Sequence, residues 1–159
     1  IEWLKFGKPS MVGAITGTIA GLATITPASG YVGPAGALVI GLVGGAICYV
    51  MVGVIKRRLK IDDALDVFAV HGVVGGTGVL LTAVFADAAL GGIGLVEGRT
   101  MGGQTAIQLT GIVAVLLWSA GVSFVIVKAI QLCAGLRVSP DTEEQGLDVR
   151  VHGERVYNM

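Results

Sequence analysis

Charge is scarce in this sequence. No Asp, Glu, Lys or Arg occurs from Pro9 to Ile55, from Val67 to Ala86 or from Thr100 to Val127. The charged share of the 159 residues is 14% and the hydrophobic share 53%, where ordinary soluble domains carry roughly 25% charge. Too little polar surface remains to clothe a soluble globule, and the mean hydropathy of +0.82 says the same. The net charge is zero, so no basic surface points to nucleic acid. Cysteine is scarcer still, with two residues. Cys48 and Cys133 both lie in apolar runs, which excludes a disulfide framework and a cysteine metal site and leaves them as small packing residues.

Catalytic equipment is also missing. There is no phosphate loop with its lysine, no good Gly-x-Gly-x-x-Gly match and no pair of carboxylates inside the apolar runs, so neither an enzyme nor a cofactor is expected. The chain has no signal peptide and no initiating Met; it opens on Ile1-Glu2-Trp3, and the expectation is a fragment or a processed half.

What is present is a set of long apolar runs. Four of them, about residues 10–26, 33–55, 67–85 and 105–134, are long enough to be membrane spans, given that a helix needs about 20 residues to cross about 30 Å of hydrocarbon. Backbone groups in lipid must pair internally, which makes helices the default, and the runs lack the alternation of a transmembrane barrel. The fold class is therefore all-α, a polytopic membrane helix bundle, with residues 1–138 as the membrane region and 139–159 as a polar tail. Lys5 and Lys8 precede the first run, and Lys56, Arg57, Arg58 and Lys60 follow the second. The positive-inside rule puts those ends, and the tail, in the cytoplasm of a multi-pass protein. The 86–104 loop is then external.

Glycine is abundant, with 26 residues, about twice the usual share of roughly 7%. Several recur every four residues: Gly13, Gly17 and Gly21; Ala37, Gly41 and Gly45; Gly72 and Gly76. Small residues along one side of a helix let helices approach closely in lipid.

One polar group interrupts the third run. His71, in "DVFAVHGVVGG", follows Asp66 by five residues, about 7–8 Å along a helix. Asp66 reads as a helix cap or first-turn residue at the cytoplasmic border, and His71 as an imidazole inside the membrane. A core histidine bonded to a neighbouring carbonyl is one reading. An intramembrane ionisable group more often lines a pathway. No second His, Cys or carboxylate stands at ligand spacing, so no metal is expected.

Several segments together resemble the ammonium transporter family, the Amt/Mep/Rh group. They are "GKPSMVG" at 7–13, "TPASGYVG" at 26–33, "DDALDVFAVHGVVGG" at 62–76, "LGGIG" at 90–94, "GLRV" at 135–138 and "EQGLDVRVHGE" at 144–154. The Asp-x-Phe-x-x-His-Gly-x-x-Gly element and the Gly-Leu-Asp…His-Gly-Glu tail are the specific pieces, and the tail looks like the bacterial and archaeal Amt branch. The resemblance covers the whole chain. It corresponds to the last four of the family's eleven transmembrane helices plus the cytoplasmic C-terminal tail.

The resemblance implies a homotrimer in the cell membrane, each subunit holding a narrow hydrophobic pore between inverted halves. His71 looks like the second of two hydrogen-bonded pore histidines. The first belongs to the N-terminal half of the pore, which this chain lacks, as do the phenylalanine gate and the outer aromatic site. Thr26 matches a pore-lining threonine near the outer end, and Ile19 and Val67 fall at lumen-lining positions. The substrate implied is ammonium or ammonia. An ammonium sensor coupled to a PII-type signalling partner, an Rh-type gas channel and an inert half-bundle are the alternatives.

The tail, with Gly146, Leu147, Asp148, His152, Gly153 and Glu154, matches the family's regulatory segment, where PII-type proteins bind. Composition alone would read it as solvated. Its hydrophobic anchors, Leu147, Val149, Val151, Val156 and Tyr157, favour an ordered segment, with His152 as a surface hydrogen-bonding residue.

Overall fold

The computed structural model describes residues 1–155; the anchors Val156 and Tyr157 lie outside the described residues. Every regular element among those residues is helical. The chain forms two compact units, Ile1–Ala114 and the part from Val115 onward.

The first unit opens with a short helix, α1 (Glu2–Phe6), closed by Gly7 at φ 71°. This positive φ is one that glycine adopts without strain. Ser10 then caps α2 (Met11–Ile25), its hydroxyl accepting from the Gly13 N–H at 2.9 Å. The Ser10 N–H and hydroxyl both donate to the Glu2 carboxylate, at 2.8 Å and 2.9 Å to Oε2. Lys5 lies 5.1 Å from the centroid of the Tyr49 ring, a cation–π contact.

A single 3₁₀ turn, Thr26–Ala28, ends α2 at Pro27. The third helix, α3 (Pro34–Gly53), starts with proline at its first position, where the missing N–H costs nothing. It continues as a π-helical turn, Val54–Arg58. A second π-helical turn, Phe68–Val73, runs directly into α4 (Val74–Phe85). The fifth helix, α5 (Met101–Cys133), starts four residues before the run expected from Thr105. Thr100 accepts the Gly103 N–H there on its hydroxyl at 3.1 Å. Four helical stretches, Met11–Ala28, Pro34–Arg58, Phe68–Phe85 and Met101–Cys133, are long and apolar enough to cross a membrane.

The core of the first unit is narrow. Ala20, Cys48, Ile55, Ala69, Val70 and Val74 form it, and Thr24 is wholly buried beside it. Thr24 satisfies its hydroxyl within its own helix, donating to the Ala20 carbonyl at 2.6 Å. Glycines let α3 and α4 close on it. A Cβ on Gly44 would collide with the Thr24 side chain, and one on Gly78 with the Thr24 carbonyl. The buried line on α3 is therefore Gly36, Ile40, Gly44 and Cys48, one residue round from the Ala37–Gly41–Gly45 line. Gly41, Gly75 and Gly76 face open space.

At the far end the loops hold each other. The Ile93 N–H donates to the Tyr31 carbonyl at 3.1 Å and the Gly94 N–H to the Ala86 carbonyl at 2.8 Å. Gly33 sits so close to the Gly91 carbonyl that no side chain fits there.

The second unit holds the rest of α5 and then α6 (Pro140–Gln145), capped by Ser139, whose hydroxyl accepts from the Thr142 N–H at 3.3 Å. Arg137 grips Glu143 with both ends of its guanidinium, at 3.0 Å and 2.9 Å. A π-helical turn, Asp148–His152, follows and closes at Gly153, φ 67°. The tail anchors Leu147, Val149 and Val151 are exposed.

Two outcomes are expected. Gly78→Ala pushes a methyl into a backbone atom that cannot rotate away, and overpacking of this kind costs about 1–3 kcal/mol. Gly41→Ala meets nothing. Thermal unfolding in detergent should show a lowered midpoint for the first and an unchanged one for the second. Hydrogen bonds from the Ser10 N–H, and next from its hydroxyl, hold the Glu2 carboxyl below its ordinary value. A depressed carboxylate stabilises the fold above its unfolded pKa and loses that contribution as pH falls through the folded one. The α1 anchorage should therefore persist at neutral pH and loosen in acid below the usual carboxylate range. Trp3 fluorescence would report this, and Glu2→Gln should abolish the acid transition.

Candidate functional site

The sequence "DDALD" sets the start of the histidine segment. Asp63, not Asp66, supplies the side-chain cap: its two oxygens accept the N–H groups of Val67 and Phe68, each at 2.9 Å. Two orphan donors at a helix start are thereby satisfied by one carboxylate. Asp66 occupies the cap position by its backbone only, its carbonyl accepting from the Val70 N–H at 2.9 Å. Its φ is +57°, a region that Asp tolerates better than most residues. Its carboxylate points away from the helix end and pairs with Lys56 Nζ at 2.8 Å. Asp66 therefore marks the helix border by its backbone, while Asp63, three residues earlier, reaches both amides with its side chain.

His71 lies within the π-helical turn Phe68–Val73. The Val74 N–H is shared between the Ala69 and His71 carbonyls; the five-residue span to Ala69 widens the turn, and such turns are frequent at functional sites. The segment is buried on one side, by Ala69, Val70 and Val74, while Val67, Phe68, His71 and Gly72 are exposed. Val67 and His71 are four residues apart, just short of one turn of a π-helix, so they share a side of the segment. The Phe68 ring lies over Gly72, within 3.1 Å of where a Cβ would stand. Thr77, the only hydroxyl near in sequence, donates to the Val73 carbonyl at 2.9 Å.

Ile19 on α2 and Thr26 just past its end are also exposed, in line with Ile15 and Leu22 along one helix face. Thr26 donates its hydroxyl proton to the Leu22 carbonyl at 2.7 Å, which leaves its oxygen free to accept. The α2 helix packs on both the π-helical turn and α4. The buried stripe Ala20–Thr24–Ala28 carries that packing, so Ile19 and Thr26 flank the interface.

Two cavities open in the first unit. One of about 820 Å³ lies between α1, α2 and α3, with Trp3, Tyr49, Lys56 and Asp66 in its lining. The other, about 370 Å³, is lined by Pro27, Tyr31, Thr82, Gln104 and Gln108 among others. Neither includes His71. No cluster of His, Cys, Asp and Glu among the described residues could hold a metal ion. In the second unit, Gly146 (φ 88°) and Gly153 make the turns on either side of Leu147–His152. The Glu154 N–H donates to the Asp148 carbonyl at 2.9 Å.

Residues 1–157 match the Ammonium Transporter Family. The chain is similar to an ammonium transporter of Aquifex aeolicus, at 45% identity over 99% of this chain and 37% of that one. It is likewise similar to an ammonium transporter of Bacillus subtilis, at 40% identity over 99% of this chain and 39% of that one. Among solved structures it resembles Saccharomyces cerevisiae Mep2, with a TM-score of 0.73 and 35% identity over 88% of this chain and 33% of that one. The chain thus spans less than two-fifths of the length of these relatives.

Asp63→Ala should destabilise the first unit by about 0.5–2 kcal/mol, the usual cost of losing a side-chain cap. Asp63→Asn, which keeps one acceptor oxygen, should cost less. Chemical denaturation of both variants in one detergent checks the order.

Proposed function

Because the chain belongs to the ammonium transporter family, we propose that the subunit containing it conducts ammonium, as ammonia or with its proton, across the cell membrane along a pore that His71 lines. The observation that carries this reading is an uncovered imidazole on a π-helical turn, in a stretch from Val67 to Ala86 that holds no charged side chain.

The physics is that of a dry conduit. An apolar lumen sets a large desolvation barrier against any ion. Ammonium resembles potassium in size but can lose a proton and cross as neutral ammonia; potassium cannot. An imidazole can donate to or accept from ammonia without holding a fixed charge. With a second imidazole from the N-terminal half of the pore, it can also relay the proton, which makes transport electrogenic. Val67 and Ile19 supply apolar lumen wall, and the Thr26 oxygen is an acceptor near the outer end. No covalent step is involved, so the protein works as a channel or transporter and not as an enzyme.

Further parts of the proposal concern the assembly. Residues 1–138 form the membrane region, the C-terminus is cytoplasmic, and three subunits form a homotrimer. The tail regulates: Arg137–Glu143 and the Ser139 cap order its start, and Gly146, Leu147, Asp148, His152, Gly153 and Glu154 present a surface for a PII-type signalling protein. The exposed Leu147, Val149 and Val151 support a docking role for this segment.

His71→Ala, placed in a family-length subunit carrying this chain and reconstituted in liposomes, removes a hydrogen-bonding group that the proposed pore would enclose, worth about 1–3 kcal/mol there. Flux or selectivity for ammonium over potassium should fall by roughly 5- to 100-fold on that scale. Unchanged flux and selectivity would take His71 out of the pathway.

A further inference from the structure

We infer that Lys56 and Asp66 are a positioning pair that fixes where the π-helical turn begins and so where the His71 ring stands. This rests on His71 being a pore residue. The pair joins two elements: Lys56 lies in the π-helical end of the α3 path, and Asp66 immediately precedes the histidine segment. Their side chains meet at 2.8 Å, with the Asp66 side chain only 21% exposed. An ion pair shielded to that degree is screened less than one at a free surface.

Its neighbours do not do the same task. Asp63 has committed one oxygen to Val67 and the other to Phe68, and Asp62 is exposed. The Arg57 guanidinium folds back against Gly53 of its own helix. Asp66 is therefore the acid of this link that ties it to the preceding helix.

The consequence for His71 follows from hydrogen-bond register. The first bond of the segment, Val70 N–H to Asp66 carbonyl, spans four residues. By Val74 the N–H is shared between the Ala69 carbonyl, five back, and the His71 carbonyl, three back. His71 lies inside this change of register. Asp66 holds its carbonyl in place from a left-handed backbone conformation, φ +57°, which is a strained state that persists only when surrounding contacts impose it. The ion pair is such a contact. Without it, Asp66 relaxes, the first bond is free to shift by one residue, and the His71 ring rotates about the helix axis.

Asp66→Asn keeps the size and the tolerance of positive φ but removes the charge. Lys56→Met keeps the stem and removes the cation, and Lys56→Arg restores it. In liposomes holding the family-length subunit, each charge-removing variant should lower selectivity for ammonium over potassium by roughly two- to fivefold, the range of a partly exposed ion pair converted to a ratio. The double variant Lys56→Met/Asp66→Asn should be no worse than the worse single one, because both break the same contact. Lys56→Arg should stay near wild type. Ring nitrogen NMR signals of His71, read on purified protein, should move in both single variants. Unmoved signals with wild-type selectivity, or losses that multiply in the double variant, would overturn the pair. If His71→Ala itself leaves selectivity intact, the pore reading fails instead, and the ring signals still report on the pair.

Discussion

Three helices meet at Thr24 at backbone-contact range, and the first unit depends on that approach. In lipid no hydrophobic force draws helices together, because the tails are as apolar as the side chains. Attraction has to come from dispersion, which falls off within a fraction of an ångström. Gly44 and Gly78 allow that range on either side of Thr24, and Thr24 can be buried there because its hydroxyl is satisfied within α2. The polar group therefore costs little, and the Thr24 side chain occupies the space that Gly44 leaves.

This packing sets the position of everything near His71. With Ala69, Val70 and Val74 held in the core, the opposite side of the same segment turns outward with Val67, Phe68 and His71. On α2 the buried Ala20–Thr24–Ala28 stripe likewise leaves Ile19 and Thr26 outside it. The first unit thus buries a narrow stripe of small residues with a few larger ones such as Ile40 and Ile55, and leaves many large apolar side chains and its imidazole uncovered. A soluble core would do the reverse, and the pattern suits elements that are further surrounded by protein or lipid.

The all-helical class and the position of the histidine were legible in the sequence, because absence of charge and run length are coarse properties. Finer features were not. Glycine recurs so often that Ala37–Gly41–Gly45 and Gly36–Gly44 read equally well as a packing line. On a helix apolar all round, periodicity does not say which side meets a neighbour. In "DDALD" three carboxylates compete for one helix end, and the choice of Asp63 follows from the left-handed backbone at Asp66, which no composition rule reveals. The π-helical turns leave no sequence mark either, since a widened turn is a matter of hydrogen-bond register and the residues in it are ordinary. The family's specific motifs were the other legible signal: they placed the chain in its family and pointed to a pore role for His71, where physical reasoning alone left two readings open.

The widened turn around His71 has a consequence for how this chain can change over evolutionary time. It stores one residue more than a regular helix needs. Loss of that residue between Phe68 and Val73 would narrow the turn to an ordinary one and leave its flanks nearly aligned, because the extra residue and the extra width go together. In a regular helix the same loss would swing one flank by about 100°. The chain can therefore shorten here without parting the acidic link from the packed glycine end, but the outward side chains of the turn, His71 among them, would be re-aimed.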